Sequence, residues 1–168
     1  MIPTIETERL VLTAPSLECL QVYEQFYADS LASKAYGPMS NSEVWTRLKA
    51  DLGSWYLLGF GVWVIQLKES KDFVGTCGFW QGKGWPTELT WWLLPFARGK
   101  GLAYEASVAA VSHAYDIFDW DTVETYMDDQ NIPAHALVKK LGGIKDRRIA
   151  LPDGVERDVY VIPPKTRL

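Results

Sequence analysis

The stretch Trp91-Trp92-Leu93-Leu94-Pro95-Phe96-Ala97-Arg98-Gly99-Lys100-Gly101-Leu102-Ala103 constrains this chain more than any other. It reads as a buried strand, a short basic turn and then a helix. Gly99 and Gly101 carry no Cβ, so a ligand can come close to the backbone. The first turn of the helix has unpaired N–H groups and the positive end of the helix dipole. Arg98 and Lys100 add two cations at the same place. Together these features suit a phosphate or pyrophosphate. Two other phosphate loops are excluded. No G-x-x-x-x-G-K-[ST] run is present. A G-x-G-x-x-G run would need a third glycine where Tyr104 stands.

The remaining pattern predicts helices around a twisted sheet. Alternating Ile5 to Leu12 reads as a strand. Ser16 is a candidate N-cap with Glu18 in the first turn, and Leu17, Leu20, Tyr23 and Tyr27 form a helical stripe to about Ala32. Ser40-Asn41-Ser42-Glu43 opens a second helix to about Leu57. Strands follow near Phe60–Leu67, Phe73–Gln81 and Glu88–Leu94. A helix from about Gly99 to Phe118 is apolar on nearly every side and therefore buried. Thr122–Met127 reads as a strand. Pro133 suits the start of a short helix that Gly142 and Gly143 stop. Ile144–Ala150 and Arg157–Ile162 form a hairpin around Pro152-Asp153-Gly154. The order β-α-α-β-β-β-α-β-α-β-β is an α/β (α+β) architecture, expected as one domain over residues 1–168.

Arg98-x-x-Gly101-x-Ala103 resembles the pyrophosphate signature of the GNAT superfamily of N-acetyltransferases, which hold acetyl-coenzyme A in this way. The resemblance covers nearly the whole chain and points to the branch of ribosomal-protein N-terminal acetyltransferases. Thr7-Glu8-Arg9-Leu10-Val11-Leu12 resembles that branch's opening strand. Gly59–Ile65, Phe73–Gly78 and Glu88–Leu93 resemble its next three, and Asn131 with Leu141-Gly142-Gly143 resembles its late helix. The implied fold is a mixed, mostly antiparallel twisted sheet flanked by helices. The sequence departs from the family pattern at several positions. Thr13 follows Leu12 where Arg is common. Ala134 stands where the branch often has Ser, Val138 where many members have a proton-donating Tyr, and Gly143 where the closing Phe is usual.

The resemblance implies a cosubstrate site. The pyrophosphate would lie on the N–H groups of Gly99, Lys100, Gly101, Leu102 and Ala103, aided by Arg98 and Lys100. The pantetheine arm would follow the backbone of Trp92, Leu93 and Leu94, with Asn131 bonding to it. The Leu94 N–H is the expected donor to the thioester carbonyl, since Pro95 has none to offer. Acetyl transfer also needs a base for the amine. Glu88, in an otherwise apolar run, is the candidate, and a strand-edge surface carboxylate is the alternative. His135, then Tyr126 and Tyr104, are the substitutes for the missing proton donor. The resulting expectation is direct acetyl transfer from acetyl-coenzyme A to a primary amine, either a protein N-terminus or a small molecule. A non-catalytic module that binds coenzyme A or acyl-coenzyme A is the alternative. A partner-binding protein using its aromatic surface is a weaker third reading.

Composition narrows the classes further. A net charge of −4 over 168 residues argues against non-specific nucleic-acid binding. Cys19 and Cys77 are the only cysteines and form no disulfide framework. His113 and His135 have no acid or cysteine cluster around them, so no metal is expected. No apolar run is long enough to span a membrane and no secretory signal pattern opens the chain, so a cytoplasmic setting is expected. A homodimer is left open. The 8 Trp and 8 Tyr are well above common usage. Trp91 and Trp92 should point to opposite faces of their strand. Trp45, Trp55, Trp80 and Trp85 divide between packing and an aromatic acceptor pocket.

Overall fold

The computed structural model describes residues 1–165. The last three residues of the expected 1–168 domain lie outside the described residues. The chain opens with a two-stranded hairpin. β1 (Ile5–Glu6) pairs antiparallel with β2 (Leu10–Thr13), Ile5 opposite Leu12. The alternation from Ile5 to Leu12 predicts one strand, but the segment forms two. It is broken because the Thr7 N–H donates to the Leu10 carbonyl at 3.0 Å and the Thr7 hydroxyl accepts from the Leu10 N–H at 3.0 Å.

A 3₁₀ turn over Leu17–Cys19 precedes α1 (Leu20–Ala28). The Ser16 hydroxyl caps no backbone N–H, so the expected N-cap is absent. The helix ends four residues before the expected Ala32. There the Asp29 carboxylate takes the N–H groups of Leu31 and Ala32, each at 3.0 Å, and turns the chain outward. α2 (Asn41–Leu58) starts on the expected residues. Ser40 and Glu43 form a reciprocal capping box, and Gly59 ends the helix in the left-handed region at φ 81°.

β3 (Val62–Leu67), β4 (Phe73–Trp80) and β5 (Glu88–Leu93) follow as antiparallel neighbours, giving a five-stranded sheet in the order β1-β2-β3-β4-β5. Pro95–Ala97 makes a second 3₁₀ turn, and α3 (Leu102–Asp116) runs behind the sheet. β6 (Val123–Tyr126), α4 (Ile132–Lys140), β7 (Ile144–Ala150) and β8 (Glu156–Ile162) complete the chain. β6, β8 and β7 form their own three-stranded antiparallel sheet. The sheet is thus divided between β5 and β6, which lie side by side with no ladder joining them.

Two cores hold the layers together. On one face α3 packs through Leu102, Ala106, Ala110 and Ala114 against Leu10, Leu12, Trp63, Leu89 and Leu93, and this core continues into Val123 and Ile162 of the smaller sheet. On the other face α1 and α2 enclose Val64, Trp92 and Leu94. Trp91 and Trp92 point to opposite faces, as strand geometry requires. The Trp92 indole stacks on Phe26 with ring centroids 4.1 Å apart and meets Tyr23 edge-on at 5.4 Å. Trp55 is core, with its indole N–H on the Val62 carbonyl, whereas Trp45 is exposed. No helix among the described residues is long and apolar enough to cross a membrane.

Candidate active site

The turn before α3 has the backbone of an anion cradle. Gly99 and Gly101 take φ of 73° and 77°, a region L side chains rarely adopt. A Cβ at Gly99 would meet nothing within 4 Å, so the space beside this glycine is open. Glu105 is the first residue to close a helical turn, its N–H on the Gly101 carbonyl at 3.0 Å. Ahead of it, the N–H groups of Gly99, Lys100, Gly101, Leu102 and Ala103 have no partner among the described residues.

The turn is braced from the opening hairpin. Arg9 Nη1 donates to the Lys100 carbonyl at 2.8 Å, and Arg9 Nε donates to Glu105 Oε2 at 2.6 Å. The Thr7 hydroxyl and the Arg9 N–H both reach Glu105 Oε1. These contacts hold the Glu105 carboxyl below its usual range against the opposing effect of its partial burial. The part Arg9 and Thr7 play across some 100 residues of chain is not visible in the sequence.

Arg98 does not point at the cradle as expected. Its guanidinium donates from Nε to the Leu93 carbonyl at 3.1 Å and from Nη2 to the Ala32 carbonyl at 3.0 Å. It is a tether between the turn, β5 and the segment after α1. Lys100 is exposed, its ammonium 6.0 Å from the Phe96 ring centre.

Beside the cradle, β5 has a free edge toward β6. The Leu94 N–H donates to the Val74 carbonyl at 2.8 Å. This corrects the expectation for Leu94, whose N–H is spent within the sheet and cannot polarise a thioester. Antiparallel alternation then turns the backbone groups of Leu89, Trp91 and Leu93 to the free edge. Their carbonyls accept from Thr125, Tyr36 and Arg98 respectively. The Thr125 hydroxyl, on buried β6, bonds to the Leu89 carbonyl at 2.8 Å and clasps the two strands at one end. Between that clasp and the cradle, the edge of β5 at Trp91 and Leu93 is joined to β6 by no ladder, and this stretch is the candidate slot. Asn131 caps α4, its Oδ1 accepting the Ala134 N–H at 3.4 Å.

The titratable groups gather at the clasped end. Glu88, Thr90 and Trp92 share the face covered by α1 and α2. Burial pushes the half-buried Glu88 carboxyl up to about 8, and the nearby Arg157 opposes the rise. Arg157 is itself held by Asp128 at 2.7 Å and by both oxygens of Asp153, and lies 6.0 Å from the Trp85 ring centre. Tyr126 donates to the Pro86 carbonyl at 2.9 Å and stacks on Trp85. Burial, with the Glu88 charge behind it, keeps its phenol protonated.

His135 is engaged at the Asp128 carbonyl, its Nε2 3.2 Å away, and its ring meets Tyr160 edge-on. Tyr104 accepts from the Lys165 ammonium at 2.5 Å. Tyr36 and Arg157 were missed in the sequence. Tyr36 sits in the irregular segment between α1 and α2, where no periodicity marks it. Its hydroxyl donates to the Trp91 carbonyl and lies 3.0 Å from Thr90 Oγ1. No group of three or more metal-ligand side chains gathers among the described residues.

Residues 9–144 match the family model described as an acetyltransferase (GNAT) domain. No curated protein matches the chain by sequence. Among solved structures, an acetyltransferase from Agrobacterium tumefaciens is 30% identical, over 96% of this chain and 94% of that one, with a TM-score of 0.85. A GNAT-family acetyltransferase from Bacillus anthracis is 18% identical, over 95% and 98%, with a TM-score of 0.80. RimL, a ribosomal L7/L12 α-N-protein acetyltransferase in complex with coenzyme A, is 13% identical, over 95% and 97%, at 0.73.

Proposed function

Because the chain belongs to the GNAT acetyltransferase family, we propose that it moves an acetyl group from acetyl-coenzyme A to a primary amine, directly and in a ternary complex. The cradle before α3 carries this reading. Five consecutive N–H groups without partners among the described residues, two glycines at positive φ and a helix N-terminus suit a pyrophosphate. The free edge of β5 suits an extended arm that bonds through backbone groups. Asn131 adds an amide at the start of α4, its NH₂ left to the arm while its oxygen caps the helix. In this arrangement the N–H groups of Trp91 and Leu93 are the donors left for the thioester carbonyl, in place of Leu94. Glu88 takes the proton of the attacking amine.

The acceptor is a protein N-terminus or a small amine. RimL acts on a ribosomal protein N-terminus, which makes N-terminal peptides the first acceptors to try. A module that binds coenzyme A without turnover is the second reading, favoured by Ala134 and Val138, both buried and without a proton to give. Calorimetric titration with acetyl-coenzyme A and coenzyme A, followed by thiol release over a panel of amines, separates the readings. Micromolar binding with turnover supports the transferase, binding alone supports the module, and no binding removes both. A Cβ at Gly101 would lie 3.4 Å from Arg9 Nη2 on a backbone at φ 77°, so Gly101→Glu strains the turn and competes with Glu105 for Arg9, and calorimetry should then show acetyl-coenzyme A binding lost.

A further inference from the structure

The family-type donor positions on α4 are empty of protons, and each substitute is engaged elsewhere. His135 faces the Asp128 carbonyl, Tyr126 the Pro86 carbonyl and Tyr104 the Lys165 ammonium. One further phenol stands at the slot. Tyr36 as a residue is 41% exposed, yet its hydroxyl is turned inward onto the Trp91 carbonyl and Thr90 Oγ1. The ring edge rests on Phe26 at 5.9 Å, and Phe26 is stacked on Trp92.

The segment that carries it is irregular but tied down. Asp29 holds the N–H groups of Leu31 and Ala32, and the Ser33 carbonyl accepts from the N–H groups of Tyr36 and Gly37, each at 2.8 Å. Arg98 links the Ala32 carbonyl to the anion cradle. Tyr36 is therefore positioned from the same turn that would hold the pyrophosphate.

An arm leaving the cradle would run along β5 from Leu93 toward Trp91, since the Thr125 hydroxyl on the Leu89 carbonyl closes the seam beyond. On the acetyl-transfer reading its thioester end would then lie near Trp91 and Thr90, where the Tyr36 hydroxyl is held. Glu88 is two residues back on the same strand face, about 7 Å along it. We propose that Tyr36 is the proton donor to the departing thiolate, a catalytic residue contributed by the α1–α2 segment; this rests on the acetyl-transfer reading above.

The step balances without a redox partner. The amine nitrogen bonds to the thioester carbon and gives its surplus proton to Glu88. The carbon–sulfur bond breaks with its electron pair on sulfur, and the sulfur takes the Tyr36 proton. Glu88 then gives its proton up to solvent and the Tyr36 oxygen takes one back from it, leaving an amide and a free thiol. Thr90 supports the phenolate by donating to it. Rotation about one C–O bond is enough to turn the Tyr36 proton from the Trp91 carbonyl to the sulfur. Burial, reinforced by the Glu88 charge and opposed by Thr90, keeps the phenol protonated until then.

Tyr36→Phe removes one oxygen and leaves the ring packing. Its kcat, with the amine that serves the unmutated chain best, should fall about 100-fold. Its calorimetric Kd for acetyl-coenzyme A should stay within about twofold, since a single neutral bond is exchanged. A reading that needs no acceptor is the thiol titration of bound coenzyme A, followed by thiolate ultraviolet absorbance. Tyr36 should hold that thiol about one unit below its value in Tyr36→Phe. An unchanged kcat, or an unchanged thiol titration, overturns Tyr36 while leaving acetyl transfer standing. An unmutated chain that binds acetyl-coenzyme A and releases no thiol with any amine overturns acetyl transfer and Tyr36 together.

Discussion

At the scale of single residues, the candidate site turns on a carboxyl that burial keeps largely protonated at neutral pH. Glu88 works as a base only when ionised, and its carboxyl is pushed up to about 8. The rate kcat/KM should therefore climb with pH and level off above about 8. Glu88→Gln should lower kcat about 100-fold and flatten that limb; a variant that keeps the parent's pH profile removes Glu88 as the base. Stability follows with a definite sign. The folded carboxyl titrates above the unfolded value of 4.5, so its contribution is whole below pH 4.5 and is lost as pH rises through about 8. Thermal melting should show parent and Glu88→Gln alike at about pH 4, with the Gln variant melting higher at about pH 9. Asp51 behaves in the same way on a lower window. It is buried against the Tyr23 hydroxyl at 2.7 Å, and burial raises it to about 6 despite Arg47.

At the scale of elements, the cradle depends on a brace as much as on its glycines. Glu105 ties the first turn of α3 to Thr7 and Arg9, and Arg9 reaches on to the Lys100 carbonyl. Glu105→Ala should raise the Kd for acetyl-coenzyme A several-fold and lower stability by about 2 kcal/mol, since three bonds to one carboxylate are lost. Calorimetry and chemical denaturation read the two effects, and an unchanged Kd would mean the cradle holds its shape without the brace. What the sequence shows of these elements is local. The strand, turn and helix around Gly99 and Gly101, the Ser40–Glu43 capping box and the final hairpin are written in neighbouring residues, and the structure has them. What it hides is non-local or a matter of phase. Arg98 reads as a cradle cation until Ala32, 66 residues away, is found to accept its bond. Leu94 reads as a free donor because the sequence does not say which alternate N–H groups of β5 face β4. Ile5 to Leu12 alternates through a turn that only the Thr7 hydroxyl reveals. Tyr36 belongs to no period at all.

At the scale of the whole molecule, two sheets share one core and part along a single seam. α3 spans both, with Leu89 and Leu93 of the larger sheet and Val123 and Ile162 of the smaller in one apolar cluster. The core thus fixes how far the sheets stand apart, and the Thr125 hydroxyl on the Leu89 carbonyl fixes where the seam closes. That bond is fully buried, with Thr125 1% exposed, so neither partner can turn to water when the other is lost. Thr125→Val keeps the shape and removes the donor. It should cost about 1–3 kcal/mol in chemical denaturation, most of it from the stranded Leu89 carbonyl. If the clasp sets the depth of the slot, the same variant should also shift the register of the bound arm. Its kcat should then fall more than its affinity for acetyl-coenzyme A, because the cradle that holds the pyrophosphate lies at the opposite end of the slot. Equal losses in kcat and affinity would mean instead that the clasp supports the cradle, and that the seam between the sheets moves as one rigid piece.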